Sequence, residues 1–368
     1  MKILHVTDTG AAVPGGRETH IARFAANSTR LGHENAVATL ADLEASRFEP
    51  DEVLLHSRDA WGAAPHIRRR FPSSRLLAWV HDQSFVCAAS ISWFRKTQQE
   101  CWLPLGTHCV TNAYTRHCNA RRPDRNIGNC LKVKSSLDGM PALDGIIVAS
   151  EYMKKRLVSG RVPESLLHVL PYFVDDHASQ PLRATRATRR VLYVGRLNET
   201  KGVDVLIEAM GRLPQDVELV IAGDGYVMGD LKALAAKYDN PRGRITFTGH
   251  LADPEEVERA YRSADVLAVP SLWPEPFGMV GLEGMINGVA VVASRVGGIS
   301  EWLRDGDTGY LTHPGNPIDL AEKLHRLLSD EELRRQFGNR AWSDVRSRFS
   351  WDNHWKGFLD IVNMPRST

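Results

Sequence analysis

The chain alternates short runs of Val, Ile and Leu with stretches of helical periodicity over nearly its whole length. This alternation is typical of parallel β-sheets covered by helices on both faces, because each parallel strand needs a crossover to reach the next. With 368 residues, and roughly 150 residues per domain, the chain is expected to form two domains. The pattern predicts an α/β fold of two tandem Rossmann-like, doubly wound parallel sheets that face each other across a cleft.

The domain boundaries follow from where this pattern lapses and resumes. We predict an N-terminal domain at 1–175, a polar linker at 176–188, a C-terminal domain at 189–349 and a last helical stretch at 350–368. A helical pattern is expected from 317 to about 349. Strands are expected at 3–6, 35–40, 53–56, 76–81, 145–149, 191–194, 218–222, 245–248, 266–269, 289–293 and 310–312.

Charge and hydropathy exclude several classes of protein. Lys and Arg number 46 against 44 Asp and Glu, a net charge of +2, so a strongly basic nucleic-acid binder and a disordered chain are both disfavoured. No apolar run reaches the roughly 18 residues of a membrane span, and the apolar stretch at 3–6 is too short for a signal peptide. We expect a cytoplasmic protein, for which peripheral contact with the inner membrane face stays open.

Two carboxylates eight positions apart form the strongest candidate site. Glu275 follows the strand at 266–269, and Glu283 lies on a helix that begins near 278–280. The free N–H groups at that helix start suit a phosphate oxygen or a sugar hydroxyl. A nucleotide sugar, which has hydroxyls at both ends and phosphates between them, fits this pattern. An acidic helix start beside an ordinary surface glutamate would give the same spacing.

Two cations after an earlier strand strengthen this interpretation. Arg196 follows the strand at 191–194, and Lys201 comes five positions later. Positive charges just beyond the carboxyl end of a strand can neutralise a diphosphate, whose negative charge grows as a bond to it breaks. A glycine turn at Gly223 lets backbone approach a ligand, and Leu251 is a candidate for contact with the base.

The N-terminal domain adds two weaker signals. The pair Gly15-Gly16 opens a predicted helix at 17–30 and can face a phosphate. His81 ends the strand at 76–81, where it can donate to a sugar hydroxyl or a developing charge. Each feature has a structural alternative, because glycine pairs are common in turns and strand-end histidines are often satisfied within the protein.

Taken in order, these motifs resemble a known family. The following set is similar to the family-four retaining glycosyltransferases of the GT-B fold: Gly195-Arg196-Leu197 with Lys201, Ala222 to Gly225, Pro270-Ser271, Glu275 to Glu283, and Gly297-Gly298 with Glu301. Gly15-Gly16, His81 and the stretch after Trp351 extend the resemblance, more loosely, over nearly the whole chain. The resemblance implies that the final helix crosses back onto the N-terminal domain, with Trp355 and Phe358 packed there.

The resemblance also implies a donor site and an acceptor site. The C-terminal domain would bind a nucleoside-diphosphate sugar, a UDP-sugar in preference to a GDP-sugar, and the N-terminal domain a carbohydrate, lipid-linked or small-molecule acceptor. No cofactor would be required for catalysis. The candidate catalytic residues are His81, Arg196, Lys201 and Glu275. The candidate donor-binding residues are Gly15, Gly16, Gly223, Leu251, Phe277, Gly278, Met279, Val280 and Glu283.

Two regions depart from the family pattern. Many members carry Pro-Asn-Gly-Val-Asp where this chain has Pro171-Tyr172-Phe173-Val174-Asp175, which puts an acceptor contact in doubt. The segment 84–137 is longer than an ordinary connection and has eight Lys and Arg against two Asp and Glu. It also holds all five cysteines of the chain.

Two interpretations of that segment stay open. Cys101, Cys109, Cys118 and Cys130 could bind a structural Zn²⁺ that replaces the apolar core a short insertion lacks. Alternatively the thiols are free, in a basic loop that faces the acceptor. The absence of a close Cys-x-x-Cys pair weighs against zinc.

We therefore expect a retaining hexosyltransferase of carbohydrate biosynthesis that makes a glycan, glycolipid or glycoside. One alternative is a sugar-nucleotide epimerase of the same fold, which would form product from the donor alone. A glycoside hydrolase that uses Glu275 and Glu283 would leave Arg196 and Lys201 without a role. A catalytically silent nucleotide-sugar-binding scaffold is the remaining alternative.

Overall fold

The computed structural model describes residues 1–8, 15–175, 189–239 and 243–366. The chain divides into two compact units, the first formed by Met1–Tyr172 with Trp351–Thr368 and the second by Phe173–Ser350. Each unit contains a six-stranded sheet whose strand pairs are all parallel. The predicted α/β class with two parallel sheets is confirmed, whereas the predicted linker at 176–188 lies outside the described residues.

The first unit is a parallel sheet with helical crossovers. Its strands are β1 (Lys2–Thr7), β2 (Glu34–Thr39), β3 (Glu52–Leu55), β4 (Arg75–Val80), β5 (Trp93–Phe94), β6 (Gln99–Glu100), β7 (Gly145–Val148) and β8 (Leu167–Val169). Its helices before the second unit are α1 (Gly16–Arg30), α2 (Arg58–Gly62), α3 (Ala64–Arg70), α4 (His108–Thr115), α5 (Pro123–Gly139) and α6 (Glu151–Ser159). The sheet order is β2-β1-β3-β4-β7-β8, so the carboxyl ends of β1, β3 and β4 are neighbours.

The long segment 84–137 has structure of its own. β5 and β6 pair as a short antiparallel hairpin, and α4 and α5 follow. The Ser136 hydroxyl of α5 donates to the Arg58 carbonyl oxygen of α2 at 3.3 Å. The segment is therefore attached to the helix that follows β3.

The second unit repeats this architecture. Its strands are β9 (Arg189–Val194), β10 (Val217–Ala222), β11 (Ile245–Gly249), β12 (Val266–Val269), β13 (Ala290–Ser294) and β14 (Gly309–Thr312). Its helices are α7 (Val203–Met210), α8 (Met228–Ala235), α9 (Pro254–Arg262), α10 (Met279–Ile286), α11 (Ile299–Trp302), α12 (Pro317–Ser329) and α13 (Glu331–Arg348). The order β11-β10-β9-β12-β13-β14 reverses direction between β9 and β12. In open sheets of this kind, ligands bind beyond the carboxyl ends of the strands at this switch point.

The predicted helical stretch at 317–349 is confirmed and consists of two helices. Asp330 separates α12 from α13, and its side chain accepts the Leu333 N–H at 2.9 Å as an N-cap. The strand β8 was not expected, since its three residues are too few to show a periodic pattern.

The last helix, α14 (Trp351–Val362), belongs to the first unit. Its Phe358 ring lies 5.1 Å from the Phe24 ring of α1, measured between centroids, and Trp355 lies 5.8 Å from the same ring. Arg75 Nη1 donates to the Val362 carbonyl oxygen at 2.9 Å. Within the described residues, every helix is too short or too polar to cross a bilayer.

Gly223, directly after β10, lies where the backbone of the second unit packs closely at the ends of β9 and β11. Its φ is +156°, its N–H donates to the Gly249 carbonyl oxygen at 2.8 Å, and a Cβ there would collide with the Gly195 carbonyl oxygen. We expect Gly223→Ala to destabilise the protein by about 2 kcal/mol, which is measured as a fall in Tm. Gly229→Ala on α8, where a Cβ has open space, is the control and should leave Tm unchanged or raise it. Equal Tm values for the two variants would contradict this packing.

Candidate functional site

A buried ion pair lies at the switch point of the second unit. Lys201 comes after β9 and Glu275 after β12, and Lys201 Nζ is 2.6 Å from Glu275 Oε1. The Ser271 hydroxyl donates to the same carboxylate oxygen at 2.6 Å. Lys201 Nζ is also 5.3 Å from the centroid of the Trp273 ring. Two residues that the sequence analysis assigned separately to a ligand are thus in contact with each other.

The environment of Glu275 keeps it ionised. Burial is the largest influence on this carboxyl, which is 5% exposed, and burial opposes ionisation. The charge of Lys201, with hydrogen bonds from Lys201 and Ser271, outweighs burial and lowers the pKa of Glu275. The group is therefore a carboxylate held in place, able to accept hydrogen bonds from hydroxyl groups.

Backbone contacts fix the segment that carries Glu275. The Gly298 N–H donates to the Glu275 carbonyl oxygen at 2.8 Å, and Gly297, with φ +54°, lies so close to Glu275 that a Cβ would collide with its backbone. Trp302 Nε1 donates to the buried Phe277 carbonyl oxygen at 2.5 Å. Gly278 adopts φ +91° as the N-cap of α10. The chain is thus held from both sides as it enters α10.

The other candidate residues of the second unit differ in how exposed they are. Arg196 is exposed and makes no ion pair with any residue that the structure describes. Glu283 is half-buried on α10 and accepts a hydrogen bond from the Tyr261 hydroxyl at 3.0 Å. Met279 and Val280 form the first turn of α10, where backbone N–H groups lack intrahelical acceptors. Gly223 and the half-buried Leu251 follow β10 and β11.

In the first unit, His81 belongs to a chain of hydrogen bonds. His81 Nε2 is 2.9 Å from His56 Nδ1, and His56 Nε2 is 2.9 Å from His5 Nδ1. His5 Nε2 is 3.3 Å from Asn35 Oδ1. At the other end, His81 Nδ1 is 2.6 Å from the Tyr172 hydroxyl. These hydrogen bonds therefore run from the carboxyl end of β4 to that of β3, and from there to side chains of β1 and β2.

The direction of these hydrogen bonds is set at Asn35. Its Nδ2 donates to Ser28 Oγ at 2.8 Å and to Thr29 Oγ1 at 3.1 Å, which leaves Oδ1 to accept from His5. We assign Nε2–H to His5 on this basis, and the same tautomer follows for each histidine along the chain. Both ring nitrogens of His81 are consequently engaged, so a ligand could hydrogen-bond to this ring only by displacing Tyr172 or the neighbouring histidine.

Burial also keeps this group of rings neutral. It lowers the pKa of His81 to about 3, with a contribution from the nearby charge of Arg17, and lowers the pKa values of His5 and His354 to about 4. Burial and neighbouring histidines lower the pKa values of His20 and His56 well below the ordinary value.

The predicted phosphate-facing pair Gly15-Gly16 lies at the start of α1, where Gly15 is the N-cap and Gly16 is exposed.

The predicted metal ligands lie in the segment 84–137. Cys101, Cys109 and Cys118 line a small cavity together with Cys87, whereas Cys130 is not among the lining residues. All five thiols are free of disulfides. Among the described residues, no three His, Cys, Asp or Glu side chains are arranged to hold a metal ion as they stand.

Sequence reasoning missed several residues of these sites: His5, His56, Tyr172, Tyr261 and, as a partner of Glu275, Ser271. A signal for the histidines was available, because histidines occur in or directly after three strands that neighbour one another in the sheet. Tyr172 and Ser271 lie in stretches that the family pattern marks, but nothing there indicates their hydrogen-bond partners, and nothing local in the sequence marks Tyr261.

Comparison with known proteins identifies the family. A model described as glycosyl transferases group 1 matches residues 176–344, and one described as glycosyltransferase family 4 matches residues 14–178. The chain belongs to this family of glycosyltransferases. The two matches meet at the predicted linker, so the first model covers most of the second unit and the second model most of the first.

Curated relatives and solved structures agree with that assignment. The chain is 32% identical over 228 residues to a lipopolysaccharide 1,2-N-acetylglucosaminetransferase of Salmonella typhimurium, covering 56% of this chain and 59% of that protein. It is 38% identical over 178 residues to an uncharacterised glycosyltransferase of Methanocaldococcus jannaschii, covering 48% and 45%. The chain thus spans about half the length of the curated relatives it matches.

Two solved structures share the fold at low sequence identity. A sucrose-phosphate synthase of Thermosynechococcus elongatus is 19% identical with a TM-score of 0.75, covering 98% of each chain. The Anabaena protein HepE, solved with UDP-glucose, is 18% identical with a TM-score of 0.74, covering 99% of this chain and 100% of that one. Both likenesses support the GT-B architecture of two parallel-sheet units.

The neutral histidines predict how stability changes with pH. A histidine in the unfolded chain titrates near 6.5, so below about pH 6.5 the unfolded chain takes up protons that the folded chain excludes. Stability should therefore fall as the pH is lowered from 7 towards 4, by about 1 kcal/mol per pH unit for each histidine. Urea unfolding of the protein between pH 7.5 and pH 5 measures this slope.

One buried carboxyl has the opposite effect on how stability changes with pH. Burial raises the pKa of Glu52 to about 8, so its contribution favours the folded state as the pH falls and offsets about one histidine. His354→Leu removes one of the buried rings and should make the slope shallower, whereas His66→Gln, at an exposed position, should not. A flat or rising stability between pH 7 and pH 5 would contradict the neutral cluster.

Proposed function

We propose that this chain transfers a sugar from a nucleoside-diphosphate sugar to a hydroxyl group of an acceptor, with retention of the anomeric configuration. The proposal depends mainly on the Lys201–Glu275 pair at the switch point of the second unit. A cation for a diphosphate and a carboxylate for sugar hydroxyls stand next to each other there. Family membership and the fold support the same function.

Each residue of the second unit has a defined role in this proposal. Arg196 and Lys201 bind the diphosphate and stabilise the charge that develops on it, while Glu275 accepts hydrogen bonds from the sugar. The first-turn N–H groups of α10 take a phosphate or sugar oxygen, and Glu283 accepts from the ribose hydroxyls. We favour a UDP-sugar, in line with the UDP-glucose bound to the Anabaena relative.

The proposed reaction needs no separate general base. The acceptor hydroxyl attacks the anomeric carbon on the face from which the diphosphate leaves. A C–O bond to the acceptor forms as the bond to the phosphate oxygen breaks, and that oxygen takes the proton of the acceptor. The protein contributes positioning and stabilisation of the leaving group. The acceptor, a carbohydrate, a lipid-linked sugar or a small molecule, would bind to the first unit.

His81 has a modified role in this proposal. Since both of its ring nitrogens are engaged, it would act by orienting the end of β4 and Tyr172 rather than by donating a proton to the sugar. We assign it to positioning for that reason.

Nucleotide binding tests the donor site directly. We expect isothermal titration calorimetry to show binding of UDP in preference to GDP. Glu283→Ala should weaken that binding about 10-fold or more, because a charged acceptor for ribose hydroxyls is lost. Glu322→Ala, on the exposed face of α12, is the matched control and should bind like the unaltered protein. If the folded protein binds neither nucleotide, or if both variants bind equally well, the proposed donor site is wrong.

The ion pair predicts opposite effects on binding and turnover. Glu275→Gln keeps the size of the side chain but removes its charge, so Lys201 is no longer neutralised by a carboxylate. UDP should therefore bind as tightly as before or more tightly, whereas turnover should fall about 100-fold because the sugar loses a charged acceptor. The measurement is the Kd for UDP beside kcat with a radiolabelled UDP-sugar.

Two further variants serve as references for that experiment. Arg196→Ala should weaken UDP binding and turnover together, and Lys237→Ala, an exposed lysine after α8, should change neither. Near-normal turnover of Glu275→Gln would contradict the proposed role of the carboxylate. Product formed from the donor alone, with no acceptor added, would indicate an epimerase instead.

A further inference from the structure

Four of the five cysteines converge although they are distant in sequence. Cys87, Cys101, Cys109 and Cys118 line one cavity of about 30 Å³ in the first unit. Cys87 follows β4 and its helical turn, Cys101 directly follows the hairpin strand β6, and the other two lie on α4 and just after it. Four separate places in the chain thus contribute a thiol to one small space.

A backbone amide is directed at one of these sulfur atoms. The Ser92 N–H donates to Cys87 Sγ at 3.4 Å. A neutral thiol is a weak acceptor, whereas an anionic sulfur is a strong one. This hydrogen bond suits a thiolate whose charge is shared with a metal ion, since outer hydrogen bonds of this kind orient metal ligands.

Two arginines beside the cavity have neutral partners. Arg156 is 1% exposed, lines the cavity, and donates to Ser92 Oγ at 2.8 Å and to Ser159 Oγ at 2.7 Å. Arg58 donates to the Cys87 carbonyl oxygen at 3.1 Å and to Ser90 Oγ at 2.7 Å. Neither arginine forms an ion pair with any described carboxylate. Carboxylates act on both arginines only from beyond ion-pair distance, Glu100 on Arg156 and Asp82 on Arg58, so an anionic group in the cavity would add to their neutralisation.

The backbone around the cavity is also strained. Ser90, Ser92 and His117 have φ values of +63°, +42° and +55°. Each lies within five residues of Cys87 or directly before Cys118. Non-glycine residues persist in this conformation when the surrounding structure fixes them.

We propose that Cys87, Cys101, Cys109 and Cys118 bind one structural Zn²⁺. Four thiolates and a dipositive ion carry a net charge of −2, which Arg156 and Arg58 would offset, and the four thiol protons would pass to solvent on binding. The cavity is of the size of a single ion and too small for an iron–sulfur cluster. Because the thiols as they stand among the described residues are not arranged to hold a metal, binding would require side-chain rotation about χ1 to bring the sulfur atoms to the ion.

This ligand set exchanges one member of the set expected from the sequence. Cys130 is replaced by Cys87, because Cys130 is outside the cavity lining and its Sγ is directed at Asn126 Oδ1 at 3.8 Å. Cys130→Ser therefore provides a control that removes a nearby thiol of the same segment without removing a proposed ligand.

Elemental analysis of the protein, purified under reducing conditions without chelator, tests the site. We expect about one zinc per chain, retained in Cys130→Ser and lost in Cys87→Ser and Cys109→Ser. To separate metal loss from misfolding, Co²⁺ is added to protein from which zinc has been removed. Four-thiolate coordination then appears as sulfur-to-cobalt charge-transfer absorption, which should be full in Cys130→Ser and absent or altered in Cys87→Ser.

Several results would overturn the proposal. They are protein that holds no metal and gives no cobalt spectrum, iron with the visible absorption of a cluster, or zinc that is lost in Cys130→Ser but kept in Cys87→Ser. None of these measurements depends on transferase activity, so the metal site and the proposed function are tested independently.

Discussion

The site of the second unit depends on keeping the buried carboxylate of Glu275 ionised. Removing a charge from water costs several kcal/mol, and Lys201 offsets that cost for Glu275 only if the two atoms meet in good geometry. They meet because the loops after β9 and β12 are in contact. Gly202, at φ +65°, lies so close to the Pro270 carbonyl oxygen that a Cβ would collide with it. The Leu272 N–H donates to the Thr200 carbonyl oxygen at 2.8 Å.

In the first unit, the buried histidines at the strand ends are satisfied by hydrogen bonds to one another, to Tyr172 and to Asn35. The hydrogen bonds of His81, His56 and His5 all have the same donor-to-acceptor direction, from Tyr172 to Asn35, and burial keeps the rings uncharged. Tyr172 stands where many members of the family carry Asn, so this departure has a structural consequence. The tyrosine hydroxyl supplies the donor that His81 Nδ1 needs, and the strand-end histidine becomes part of the internal hydrogen bonding of the unit.

The fold was largely predictable because its strands are buried on both faces. A strand such as β4, buried at every position, needs a continuous apolar run that is visible in the sequence. Side-chain pairing was not predictable in the same way. Lys201 and Glu275 are 74 positions apart, and only the strand order of the sheet brings them together. His5 and His56 were missed because they lie within or directly after apolar strands. Residue type alone does not distinguish an isolated buried histidine there from one that hydrogen-bonds to other histidines.

Each unit has an arginine at its candidate site that forms no ion pair with any described carboxylate. Many arginines of this chain are neutralised internally, as in the pairs Arg68–Asp144 and Arg190–Glu218. Arg196 remains exposed at the switch point, which costs little in water. Arg156 is buried, and water cannot compensate its charge. A cation without an ion-pair partner therefore indicates where an anionic ligand can bind, and the burial of the cation indicates whether that ligand exchanges with solvent. An exposed cation suits a diphosphate that arrives and leaves, whereas a buried cation suits a negative group that stays.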